Sequence, residues 1–230
     1  MRQQISLILL LAVAVTHLFT GCKKAEKPPE ILTDQDGNTY KTVTIGNQVW
    51  MAENLQTTSL NDGTAIPPVE DASGWSNLKT PGYCWYNNDE SSFKAAYGAL
   101  YNGYTVTTGK LCPAGWHVPE KLEWQELRDF LGDSTKVGGR LKEAGTTHWL
   151  SPNTGADNSS GFTARGAGVR YFESTFSSIL SFTSFSSATV TGDDELWYTG
   201  LFYAEADFLM DHRNKKYGLS VRCLKDHVSP

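Results

Sequence analysis

Leu111-Cys112-Pro113-Ala114-Gly115-Trp116-His117-Val118-Pro119-Glu120-Lys121-Leu122-Glu123-Trp124-Gln125-Glu126-Leu127-Arg128-Asp129-Phe130-Leu131-Gly132 is the stretch that decides how the chain is read. Trp116-His117-Val118 is a short strand, and Pro119 then opens a helix, because its fixed φ suits a first turn and it has no N–H to lose there. Glu120 and Glu123 suit the positive end of that helix. Trp124, Leu127, Phe130 and Leu131 recur at helical spacing and predict one buried stripe, which Gly132 ends. A strand running straight into an amphipathic helix predicts mixed α and β structure.

Towards the N-terminus, Tyr40-Lys41-Thr42-Val43-Thr44-Ile45 is rich in β-branched residues and Gln48-Val49-Trp50-Met51 follows. Gly46-Asn47 between them is a two-residue turn signal, which predicts a hairpin. Ser91 is placed to cap a second helix, in which Phe93, Ala96, Tyr97, Leu100, Tyr101 and Tyr104 recur at three- and four-residue spacing, although Gly98 and Gly103 fall inside it. Towards the C-terminus, residues 145–168 read as a long ordered loop. Alternating Ser, Thr and Phe over residues 174–191 suggest strands. Residues 197–203 and 217–224 look like closing strands, with Asn214 to Lys216 in a turn. The expectation is one α+β domain over residues 31–226, with two main helices, short antiparallel strands and long ordered loops, and a tail at 227–230. There are no tandem repeats.

Of 230 residues, 40% are hydrophobic and 20% charged, a globular balance. Lys plus Arg number 20 against 25 Asp plus Glu, a net charge of −5, so the basic face that a general nucleic-acid binder needs is not expected. Seven Trp, 10 Tyr and 10 Phe beside 21 Gly predict an aromatic core within loop-rich architecture.

The first residues give an address. Arg2 precedes an apolar run from Ile5 to Val15 that is too short to span a bilayer and reads as an export signal over residues 1–21. Leu18-Phe19-Thr20-Gly21-Cys22 resembles a bacterial lipobox, which would make Cys22 the lipidated first residue of the mature protein. Lys23 to Glu30 is too polar and Pro-rich to fold, so residues 22–30 read as a tether. A lipid-anchored envelope protein follows, held to the membrane by its N-terminal lipid, with the outer membrane the favoured site and the periplasmic or surface face open. Three cysteines would remain for disulfide chemistry: Cys84, Cys112 and Cys223. Export permits a bridge, and an odd count leaves one thiol over.

The motifs also carry a family resemblance. Asp34-Gln35-Asp36-Gly37-Asn38-Thr39-Tyr40, Ile45 to Leu55, Tyr83 to Asp89, Tyr97 to Asn102, Leu111 to Pro119, Gly145 to Trp149, Ser151 to Gly155 and Tyr217 to Cys223 stand in the order seen in the Fibrobacter succinogenes major paralogous domain, which the chain resembles over roughly residues 31–226. One segment departs: Leu180-Ser181-Phe182-Thr183-Ser184-Phe185 stands where the family has a Trp-rich strand. The resemblance implies an exported protein, often a lipoprotein, with a C-type-lectin-like fold shared with the formylglycine-generating sulfatase modifiers. It also implies a Cys112–Cys223 bridge tying the domain ends together, with Cys84 left free. Cys84 paired with Cys112 or with Cys223 is the competing connectivity.

Chemistry is sparsely signalled. There is no Gly-x-Ser-x-Gly elbow, zinc-binding His-Glu-x-x-His or phosphate-cradling Gly-Lys loop. His117 reads as a packed or hydrogen-bonded residue, His148 on its loop as a binding candidate, and Asp211-His212 as a surface turn. No closely spaced cysteine pair matches a sulfatase-modifying site. Asp34-x-Asp36-Gly-Asn38 resembles part of a calcium loop without its third acid and distal Glu, so a turn is the plainer reading. Asp193-Asp194-Glu195 could hold a cation, which keeps calcium open. Sugar binding without metal needs exposed rings beside amides: Trp75, Trp85, Trp149 and Trp197 are the rings considered, with Asn87, Asn88 and Asn153 near them in sequence. Trp149, His148, Asn153 and Trp85 are the binding candidates. The expected function is non-enzymatic recognition or adhesion, with a glycan or an envelope protein as partner. The rivals are an assembly subunit of a surface complex and an enzyme related to the sulfatase modifiers.

Overall fold

The computed structural model describes residues 31–227; the segments expected to be an export signal (1–21) and a lipid-anchored tether (22–30), and the last three residues, lie outside this range. The described residues open with two ribbons. β1 (Leu32–Thr33) pairs with β2 (Thr39–Tyr40), and β3 (Thr42–Ile45) pairs with β4 (Gln48–Met51). The second is the expected hairpin, with Ile45 opposite Gln48 across Gly46-Asn47. Gly46 has φ +63°, a region open to glycine at little cost, and the Phe130 ring lies where a Cβ would stand.

The middle of the chain is short helices and shorter strands: α1 (Ala72–Asn77), β5 (Tyr83–Cys84), α2 (Glu90–Tyr97), β6 (Leu100–Tyr101), α3 (Gly103–Val106), β7 (Trp116–His117), α4 (Lys121–Leu131) and α5 (Val137–Leu141). The last third is sheet: β8 (Ala167–Arg170), β9 (Phe176–Ile179), β10 (Phe182–Val190), β11 (Glu195–Phe202), β12 (Leu209–Asn214) and β13 (Leu224–Lys225). A five-stranded sheet runs β12-β11-β10-β8-β9, and a four-stranded sheet runs β3-β4-β13-β7. The β10–β11 pair carries Phe182 opposite Phe202 and Phe185 opposite Thr199, with a register shift between Ser186 and Val190.

This architecture overturns the expected α+β, C-type-lectin-like domain with two main helices. The described residues hold thirteen strands in four sheets, and only α4 is longer than eight residues. The helix expected from Phe93 to Tyr104 stops at Gly98. There φ is +71°, and the backbone passes so close to Asn54 and Leu55 that a Cβ would stand 2.7 Å from Asn54 Cβ and 2.8 Å from Leu55 O. Leu100 and Tyr101 then join β6, and Asn102 caps the separate turn α3 by accepting from Thr105 N at 2.9 Å. Asp89, not Ser91, caps α2, accepting from Ser92 N at 3.0 Å. The helical period misled because residues 97–103 are buried on every side, and such a run packs equally well as strand. The expected strand over residues 217–224 shrinks to Leu224–Lys225, the rest pairing through single bridges such as Arg170 with Gly218.

The strand-then-helix unit stands where it was expected, with two differences: Pro119 precedes the cap and lies outside the helix, and one residue of the stripe is exposed. Glu120 caps α4, Glu123 closes the capping box, and Gly132 ends the helix at φ +89°. Trp124, Leu127 and Leu131 are buried, but Phe130 is 62% exposed, because the 3.6-residue turn carries it past the stripe to the flank beside Gly46. Trp124 meets Trp50 at 4.6 Å and stacks on Phe185 at 5.9 Å, joining α4 to both large sheets. Cys112 and Cys223 form the bridge that the resemblance implied, 111 residues apart, and Cys84 is free and buried.

Candidate functional site

A charged, enclosed cleft of about 170 Å³ draws on five separated parts of the chain. Its floor begins where the chain leaves β4. Ala52 N donates to Lys41 O at 2.9 Å and Leu55 N to Val221 O at 2.9 Å, which lays residues 52–56 between the hairpin and the C-terminal segment. Glu53 accepts from Lys41 N at 2.7 Å, which turns its carboxylate towards Lys41. Asn54 is buried and acts as a joint. Its Nδ2 donates to Tyr97 O at 2.8 Å and Ser220 Oγ at 3.2 Å, and its Oδ1 accepts from Arg222 Nε at 2.9 Å. The wall is the last turn of α2, where Ala95 and Ala96 leave room that longer side chains would fill.

Arg222, 1% exposed, is the floor's cation. Its Nη1 donates to Phe162 O and its Nη2 to Thr163 O at 2.9 Å, while its guanidinium lies 4.3 Å from the Phe162 ring centre. Burial lowers its pKa from the ordinary value, and Glu53 pulls the other way. Arg165 forms the rim. Its Nε donates to Glu143 Oε1 at 3.0 Å and its Nη1 to Ala96 O at 3.2 Å. Glu143 is held in turn by His148, whose Nδ1 lies 2.5 Å from Oε2, and the His148 ring meets Tyr97 edge-on at 5.7 Å. His148–Glu143–Arg165 is therefore one chain of polar contacts with a guanidinium at its cleft end.

The other sequence candidates fall elsewhere. Trp149 is 1% exposed, with Nε1 donating to Ala164 O at 2.9 Å and Lys142 Nζ 5.6 Å from its ring, so it is core and not the exposed ring expected. Its loop looks open in sequence, but the side chain turns inward to join Trp50, Trp124 and Phe162. Asn153 is 5% exposed, and its Nδ2 staples the loop by donating to Glu143 O and Gly145 O. Trp85 is 7% exposed, covered by the Tyr83 edge at 5.5 Å and by Lys94 Nζ at 5.2 Å, but it borders a second depression of about 220 Å³ shared with Asn88 and Glu90. Among the seven tryptophans, Trp197 alone is not buried, and Lys121 Nζ sits over it at 3.5 Å.

Both calcium candidates have carboxylates engaged within the fold. Asp34 accepts from Asp36 N, Asn38 N, Asn38 Nδ2 and Tyr40 OH, and Asp36 from Thr57 and Thr58, the turn that was the plainer reading. Glu195 pairs with His212 at 2.7 Å. Among the described residues no group of three His, Cys, Asp or Glu side chains is placed to hold a metal. Cys84 is buried, and burial pushes its thiol up to about 12.

Sequence reasoning passed over Arg165, Arg222, Glu143, Glu53 and Asn54 as site residues. One signal was available: Arg222 interrupts the apolar run Val221 to Leu224, and a charge there has to be buried with partners.

Among curated proteins and solved structures, nothing matches the chain. A family model described as the Fibrobacter succinogenes major domain matches residues 43–225, a span that holds the hairpin, the disulfide and most of the cleft. The chain therefore belongs to the Fibrobacter succinogenes major domain family.

Proposed function

We propose that the protein is a non-enzymatic recognition module of the bacterial envelope, anchored by lipid at Cys22, and that the Arg165–Arg222 cleft is its ligand site. The observation that carries this reading is the cleft itself. Charged groups of both signs stand in one concavity, and Glu53, Arg165 and Arg222 are held by backbone or side-chain partners before any ligand arrives, a preorganisation that favours selective binding. The anchor rests on the lipobox-like Leu18 to Cys22 stretch.

A second reading, an assembly subunit of a surface complex, is favoured by Leu122 and Phe130, 71% and 62% exposed on α4 beside the β3–β4 turn. One experiment separates the two. The full chain, purified with its anchor in detergent, is screened against a broad panel of glycans and envelope polysaccharides, with calcium and with chelator. Saturable binding that is lost on Arg165→Gln supports the recognition module. A blank panel from folded protein sinks it and leaves Leu122→Ser/Phe130→Ser, tested by partner capture from the envelope, to examine the second.

A further inference from the structure

We propose that the Arg165–Arg222 cleft is a carboxylate subsite, and that its ligand is a sugar acid within an oligosaccharide; this rests on the recognition reading above. A guanidinium carries five N–H donors. Arg165 spends one on Glu143 and one on Ala96 O, and both of its Nη2 donors lack an acceptor among the described residues. The Lys41 ammonium and the Gln56 side-chain amide, which line the same cleft, also have no side-chain partner among them. Glu143, itself held by His148, accepts from Nε of Arg165 and fixes the guanidinium at the cleft that Arg165 lines. A fixed guanidinium whose Nη2 still has donors to give is a group that a carboxylate pairs with through charge-assisted hydrogen bonds.

The lining decides the ligand class. Glu53 puts a negative group opposite the cations, which disfavours a doubly charged phosphate but can accept a sugar hydroxyl. Gln56 offers a donor and an acceptor. Ala52, Ala95 and Ala96 leave no apolar pocket for a peptide side chain. About 170 Å³ is below the range of drug-sized sites and suits one sugar ring. Neighbouring rings have somewhere to go. Gln56 and Ala95 also border an open depression that reaches Glu90, and Glu90 borders the one beside Trp85.

Titration calorimetry on the full chain in detergent tests this with an oligogalacturonate, the neutral galacto-oligosaccharide of equal length, inorganic phosphate and a glutamate-rich peptide. The expected result is saturable binding of the acidic oligosaccharide, with the neutral one at least about tenfold weaker, the loss of one charge-assisted contact. Arg165→Gln should weaken the acidic ligand by a similar factor and leave the neutral one unchanged. Lys41→Gln, at an exposed residue whose side chain holds nothing in the fold, should act in the same direction should Arg165→Gln perturb folding. Equal binding of the neutral sugar, or variants without effect, overturns the carboxylate subsite while recognition stands. Tighter binding of phosphate or peptide overturns the sugar assignment. Failure of every glycan, on this set and on the broad panel, overturns both.

Discussion

His117 stands between two carboxylates, Asp226 at 2.6 Å from Nδ1 and Glu123 at 2.9 Å from Nε2, and the hydrogen bond to Glu123 chiefly raises its pKa to about 9 from the ordinary 6.5. The folded state thus holds this proton more tightly than the unfolded chain. The resulting stabilisation is fully present below about pH 6.5 and is lost as pH rises through about 9. Denaturant midpoints of the protein and of His117→Gln should therefore converge across that window; a constant gap would refute the assignment. Lys142 behaves oppositely. It is fully buried, its ammonium donates to Thr154 O, Phe202 O and Glu205 O at 3.0, 2.9 and 2.7 Å, and burial lowers its pKa to about 8. Lys142→Met keeps the stem but leaves three carbonyls without their donor. It should lower stability by about 1–3 kcal/mol, read from urea unfolding at unchanged slope.

At the scale of elements, α5 shows how a tertiary contact reverses a local rule. In an ordinary helix interior Gly→Ala stabilises by about 0.5–1 kcal/mol. In α5, Gly138 lies against Asp207 O and Gly139 against Gly155 O, each so close that a Cβ has no room. Gly138→Ala should therefore destabilise the protein, and a stabilised variant in chemical denaturation would show that the loop over residues 206–207 yields. The same contrast separates the two helices expected from sequence. In α4 the acidic first turn, the stop at Gly132 and three of the four stripe residues agree, so the helix was legible from its sequence. In α2 a regular period ran on through Gly98, where a backbone contact with a segment over forty residues away ends the helix. β12 was missed because Leu209-Met210-Asp211-His212-Arg213-Asn214 is an edge strand whose charges protect it from pairing and hide its alternation.

Among the described residues one disulfide ties distant parts of the chain together. Cys112 precedes β7 and Cys223 precedes β13, strands that pair, so the bridge joins distant parts of the chain where they already meet. In the chain-entropy model a loop of 111 residues corresponds to roughly 4–5 kcal/mol. Reduction should lower the denaturation midpoint accordingly, without a native-state reaction at Cys84. A thiol reagent should label Cys84 only once the chain unfolds; labelling of the folded protein would contradict its burial.

Local signals determined much by themselves: the hairpin at Gly46-Asn47, the strand-then-helix unit around Trp116 to Leu131, and the family through ordered motifs that also implied the Cys112–Cys223 bridge. These rest on turn chemistry, capping and spacing, which act between near neighbours. Only the tertiary structure decided that the protein is mostly sheet, that Trp149 lies inside while Phe130 lies outside, and that Arg165, Arg222, Glu53 and Asn54 share a cleft. Burial of a ring and convergence of charges depend on which distant segments meet, and a pattern of near neighbours carries no information about that.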